Sequence, residues 1–188
     1  LSVLFNFHGL LVAYSNSTYM EKFVSPETIG GLYTIGSALA VLGFLFISRV
    51  LRKIGNVRLT IWLAVIEIFA LVLLGLTHHP STAIIALVVF LIMNPLIYLS
   101  IDIFSESLIG KNEDSTGSKR GLTLTLMSIA AVMGPLTMGL IVGDSDSNLS
   151  RTYFASAGVF SIFVLIVLLK FRRFKDPCLL YTSDAADD

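Results

Sequence analysis

Glu67 is the residue whose placement most needs a chemical reason. It stands nine positions beyond Arg58 and eleven before His78, inside an otherwise apolar run. At the rise of a helix that is roughly 13 Å into a bilayer. An ionised carboxylate at such depth costs on the order of 3 kcal/mol, so the side chain must face protein or a wet cavity. A low dielectric favours the neutral acid. An acid in surroundings that alternate between wet and dry can load and release a proton. The plainer alternative is a Glu that stays protonated and hydrogen-bonded to a neighbouring helix.

The stretch LFNFHGLLVAYSNSTYME, residues 4–21, is the second candidate. It places Asn6, His8, Tyr14, Ser15 and Asn16 in a run that otherwise reads as a membrane helix. Imidazole titrates near neutral pH, which makes His8 a second proton-coupling candidate. Amides and hydroxyls suit contact with a polar solute near the bilayer midplane, or they glue helix to helix. Asn16 and Ser17 are expected at the outer interface. Tyr33 and Tyr98 either face the same cavity or pack.

Other chemistry is missing. No metal-ligand cluster is spaced along the chain, and His78-His79 beside Pro80 reads as a solvated loop pair. Gly30-Gly31 follows no strand and is no nucleotide loop. No Ser–His–Asp arrangement is suggested. An intramembrane enzyme would need His8, Glu67, Asp102 and Glu106 to converge within hydrogen-bond reach. No enzyme activity, cofactor, metal or nucleic-acid partner is therefore expected.

The elements that must position these residues come from composition. The chain is 55% hydrophobic and 14% charged, against about 25% charge in soluble domains. Six apolar segments, each about 20 residues, meet the span requirement of a bilayer. They are Leu1 to about Tyr19, Glu27 to Arg49, Arg58 to His78, Ser81 to Ile103, Gly121 to Gly143 and Arg151 to Lys170. Alternating ten-residue segments, the barrel signature, are absent. The expected class is an all-α membrane protein with six transmembrane helices.

Basic residues set the expected direction. Arg49, Arg52, Lys53 and Arg58 follow the second span; Lys111, Lys119 and Arg120 follow the fourth; Lys170, Arg172, Arg173 and Lys175 close the sixth. The alternate loops hold Lys22 and Arg151 only. The basic side is expected in the cytoplasm, with the first residue and residue 177 on that side of the cell inner membrane. IGKNEDSTGSKRG reads as a polar surface loop. The chain starts on Leu within an apolar run, so its N-terminus reads as truncated. CLLYTSDAADD, 178–188, back-translates in one frame to a transposon-end sequencing adapter. It reads as an artefactual tail, which leaves 1–177 as one bundle and removes the single cysteine, Cys178, from the chemistry.

The fifth span carries glycines and a proline that a water-soluble helix would avoid. Small residues let helix backbones approach closely in lipid, and proline bends a helix. A tightly packed, bent helix is expected there. Gly36, Ala40 and Gly43 make a similar stripe on the second span, and Asn94-Pro95 marks a kink in the fourth. Gly121, eight residues, Ala130, three residues, Gly134-Pro135, two residues, Met138-Gly139 resembles the fifth-helix motif of the major facilitator superfamily. Ala130 and Met138 replace glycines of that pattern. SRVLRKIGNVR, Ser48 to Arg58, resembles the loop after the second helix of that family. Lys53, Gly55 and Arg58 fit; Ser48 replaces a glycine and Arg52 stands where an acid is usual.

The resemblance covers 1–177 and implies the N-terminal six-helix half of a secondary transporter working by alternating access. It implies a missing C-terminal six-helix half, a small-molecule solute, and a proton or other coupling ion beside the lipid bilayer itself. The fifth-helix motif is best known in drug–proton antiporters, so proton-coupled efflux is expected. The family's loop acid joins a cytoplasmic charge network. With Arg52 in its place, the polarity is expected to swap, Arg49 or Arg52 meeting Asp102 or Glu106. The competing class is a membrane scaffold or sensor that moves nothing. A polar stripe on the first and fourth spans facing a cavity separates the two.

Overall fold

A computed structural model describes residues 1–109, 113–145 and 148–171. Among these the regular structure is helical: α1 (Ser2–Ala13), α2 (Asn16–Met20), α3 (Pro26–Ile54), α4 (Asn56–Leu76), α5 (Pro80–Ile109), α6 (Glu113–Val142) and α7 (Leu149–Lys170). Five of them, α3 to α7, are long and apolar enough to cross a membrane. The surface agrees. Leu140, Leu169, Trp62 and Phe69 are exposed, whereas His8, Asn16, Thr60, Glu67, Ser100 and Ser156 are buried. Apolar outside and polar inside is the arrangement that a lipid solvent selects. The chain is a multi-pass membrane protein.

The first expected span is not one helix: it breaks at Tyr14 and Ser15 into α1 and α2. At about 1.5 Å per residue, the 12 residues of α1 reach about 18 Å, short of a bilayer core of about 30 Å. The reason is local: the Ser15 amide and hydroxyl both turn back onto the Val12 carbonyl, the competition that Ser and Asn offer to a helix ladder. The loop expected at 109–121 is corrected as well, because α6 begins at Glu113. Lys111, Arg172, Arg173, Lys175 and the supposed tail at 178–188 lie outside the described residues.

The helix ends follow from their sequence. Ser25 caps α3 by accepting from the Thr28 amide at 3.4 Å, with Pro26 opening the first turn. One residue, Gly55, joins α3 to α4 at φ 79°, a left-handed conformation that glycine alone adopts cheaply. The long helices alternate in direction. One end of the bundle therefore gathers Arg49, Arg52, Lys53, Arg58, Arg120 and Lys170, and we call it the basic end. An amide bond from Asn56 to the Ser100 carbonyl, 2.9 Å, ties α4 to α5 near that end.

The packing has a hidden regularity. Two triplets, α1–α3–α4 and α5–α6–α7, run in opposite senses. α3 packs along α5 as α6 packs along α1; α4 packs on α5 as α7 packs on α1; α4 and α7 pack on each other. Exchanging the triplets leaves this pattern unchanged. The close contacts match too. A β-carbon on Gly36 of α3 would stand 2.8 Å from Leu91 Cβ of α5, and one on Gly134 of α6 would stand 2.7 Å from Leu10 Cβ of α1. The tight packing expected of the fifth-span motif is therefore confined to part of it. Gly134 is pressed against α1 and Ala130 is buried, while Gly121 and Gly139 meet nothing nearby.

Candidate functional site

Three helices bring three polar side chains together halfway along their lengths. His8 lies in the middle of α1, Glu67 in the middle of α4 and Asn94 in the middle of α5. His8 Nε2 is 3.2 Å from Glu67 Oε1, and Asn94 Nδ2 donates to the same oxygen at 3.0 Å. Histidine and glutamate are both fully enclosed. The two proton-coupling candidates of the sequence are thus one unit.

The fourth helix of the site, α7, supplies its wall. The imidazole stacks on Phe160 at 4.0 Å between ring centres and 5° between planes, with Phe5 tilted against it at 5.0 Å. Ser156 Oγ donates to the His8 carbonyl at 2.9 Å. These contacts fix the ring plane and hold Nε2 toward the acid. The other two polar atoms of the pair, His8 Nδ1 and Glu67 Oε2, have no hydrogen-bond partner among the described residues. A purely structural pair is expected to satisfy such atoms.

Asn94 also borders a cleft of about 280 Å³ shared by α1, α2, α3 and α5, with Asn6, Asn16 and Tyr33 on its walls. Asn6 is anchored by its amide to the Met127 carbonyl of α6 at 3.0 Å. Toward the basic end, α1, α5 and α6 enclose a second hollow of about 300 Å³, bordered by Tyr98, Asp102, Glu106 and Arg120. Neither hollow is lined by α4 or α7.

The remaining candidates fall as follows. Asn6 and Tyr33 reach the cleft, and Tyr98 reaches the second hollow instead. Tyr14 is exposed at the α1–α2 break. Ser15 is buried against α7, 3.4 Å from the Thr152 hydroxyl, so it serves packing. Asn16, expected at the outer interface, is buried and accepts from the Tyr153 hydroxyl at 2.9 Å. The swapped charge network is corrected: Glu106 pairs with Arg120 of α6, both well exposed. Arg49 lies over the Phe46 ring at 5.8 Å, and neither Arg49 nor Arg52 pairs with Asp102 or Glu106 among the described residues. The physical cause is the helical start of α6, which carries Arg120 within reach of α5. Asp102 and Glu106 stand at the second hollow, which neither His8 nor Glu67 lines.

Asn94 and Phe160 were the site residues that sequence reasoning missed. Asn94 was legible as a polar residue deep in a span, yet its neighbour Pro95 drew the reading toward a bend. No family model, curated protein or solved structure matches this chain.

Proposed function

We propose that this chain is one six-helix half of a secondary transporter of the major-facilitator type, with α1 and α2 together forming its first span. It moves a small solute by alternating access, with proton coupling at His8 and Glu67. The observation that carries the reading is the inverted pairing of α1–α3–α4 with α5–α6–α7 around a polar centre at mid-depth. Secondary transporters are commonly built this way, with the solute and coupling ion at the repeat interface. The polar face that α1 and α5 form with the near ends of α2 and α3 supports transport over a scaffold. It runs from Asn16 and Tyr33, through Asn6 and Asn94, to Asp102 and Glu106, with a hollow on each side of the Asn6–Met127 bond. The open side of both hollows is the face a second bundle would cover.

On this reading the basic end faces the cytoplasm of the cell inner membrane, and Glu106–Arg120 is a closure on that side. Cysteine labelling tests the proposal. Gly9→Cys and Tyr33→Cys are introduced singly into a cysteine-free background of the intact protein in native membranes. A membrane-impermeant maleimide is then applied to right-side-out and inside-out vesicles. Reaction from both faces is expected, each protected when the other state is trapped. Reaction from one face only, in every condition, makes the bundle a scaffold.

A further inference from the structure

We propose that the corner where α3 turns into α4 binds the headgroup of an anionic phospholipid, whether or not the bundle moves a solute. The first argument is uncompensated charge. Arg52 and Lys53 stand in the last turn of α3 and Arg58 in the first turn of α4, with Gly55 as the link between the helices. All three side chains are exposed, and none has an acidic partner among the described residues. Two other arginines of the basic end are engaged: Arg120 is matched by Glu106, and Arg49 lies over the Phe46 ring. Three cations held on two adjoining helix ends repel one another, and an anion among them relieves the repulsion. Guanidinium meets a phosphate with paired N–H donors, and ammonium meets it as a point charge.

The second argument is depth. On α4 the exposed face continues from Arg58 to Trp62, Val65, Ile66 and Phe69. Spacings of three and four keep these residues on one side of the helix. Trp62 stands four residues, about 6 Å, deeper than Arg58. Indole anchors at just that boundary between headgroups and hydrocarbon. On α3 the exposed Leu42, Leu45 and Phe46 form a matching ladder beneath Arg49, Arg52 and Lys53. The two ladders converge at Gly55. A phospholipid satisfies both features at once, with its phosphate at the three cations and its acyl chains along the apolar steps. A soluble anion would use the cations alone, screened by the salt of the medium. A zwitterionic lipid brings its own ammonium to the same place, which favours a headgroup of net negative charge. Anionic membrane surfaces attract basic segments in general. This fold adds a fixed arrangement, three cations on two helix ends with an indole one turn below.

Trp62 is the single tryptophan of the chain, so its fluorescence reports on the site. The full chain is reconstituted in phosphatidylcholine bilayers. Phosphatidylglycerol or phosphatidylcholine with brominated acyl chains is then titrated in as the quencher. Phosphatidylglycerol is expected to be preferred at least about fivefold in relative binding constant. The preference should fall toward unity in about 1 M salt, where the Debye length is about 3 Å. It should fall likewise in the triple variant Arg52→Gln, Lys53→Gln, Arg58→Gln. Arg151→Gln, at the other end of the bundle, should leave it unchanged. Inorganic phosphate should displace no more lipid than chloride does at equal ionic strength. Equal quenching by the two lipids overturns the site, and so does a preference that survives in the triple variant. Displacement by phosphate beyond the chloride control makes the corner a soluble-anion site and overturns the lipid assignment. If the triple variant does not reconstitute, Arg58→Gln alone and the salt dependence of the unaltered chain decide; a preference indifferent to both overturns the proposal.

Discussion

Glu67 Oε1 accepts from Asn94 of α5 and lies within hydrogen-bond distance of His8 Nε2 of α1, so the side chain is a junction between helices as well as the proposed proton-coupling group. The two roles are separable. Glu67→Gln keeps an oxygen for His8 and Asn94, and its effect on folding should stay within about 1 kcal/mol of the original. Glu67→Leu strands both partners in an apolar interior, each worth about 1–3 kcal/mol. Equilibrium unfolding in mixed micelles compares the two; a Leu variant as stable as the Gln variant would show that the junction contributes nothing. In transport assays on the intact protein, Glu67→Gln should also flatten the pH dependence of flux. That this residue must be buried against polar partners was legible from its depth alone. Its partner was not. His8 lies 59 positions away, and the sequence does not say which faces of α1 and α4 meet.

At the scale of elements, glycine placement separates contacts that matter from those that do not. Gly134→Ala forces a β-carbon onto Leu10 where its backbone is also near, and Gly36→Ala does the same against Leu91. Each should cost about 1–3 kcal/mol by overpacking. Gly31→Ala and Gly139→Ala, which meet open space, should stabilise their helices or leave them unchanged. Thermal melts in detergent rank the four; equal melting temperatures would refute the packing. The long helices were readable because runs of about 20 apolar residues admit few alternatives. The break in α1 was not, since it depends on where the Ser15 hydroxyl turns. The helical start of α6 was masked by polar residues that suit a loop equally well.

Over the whole molecule, the outward apolar residues act as the solvent-facing surface. Val132, in the middle of the apolar part of α6, is exposed. Val132→Arg should impair membrane insertion by about 2.5–3.5 kcal/mol, read as a drop in the inserted fraction in a glycosylation-mapping assay. The same change on a water-soluble globule would be harmless, so unimpaired insertion would refute the lipid-facing assignment. Labelling of single cysteines at positions 52 and 120 should place the α3–α4 turn and the start of α6 on one membrane face.

The exchangeable triplets carry one more implication. Each is, in its packing, the other turned upside down, but the present shapes differ: α1 is short and broken, whereas α5 runs unbroken over 30 residues through Pro95. On the transporter reading proposed above, trading these shapes would give a second conformation built from the same set of neighbours. It would tip the mouth of the cleft from one rim of the bundle to the other. The asymmetry between α1 and α5 would then record which way the molecule faces.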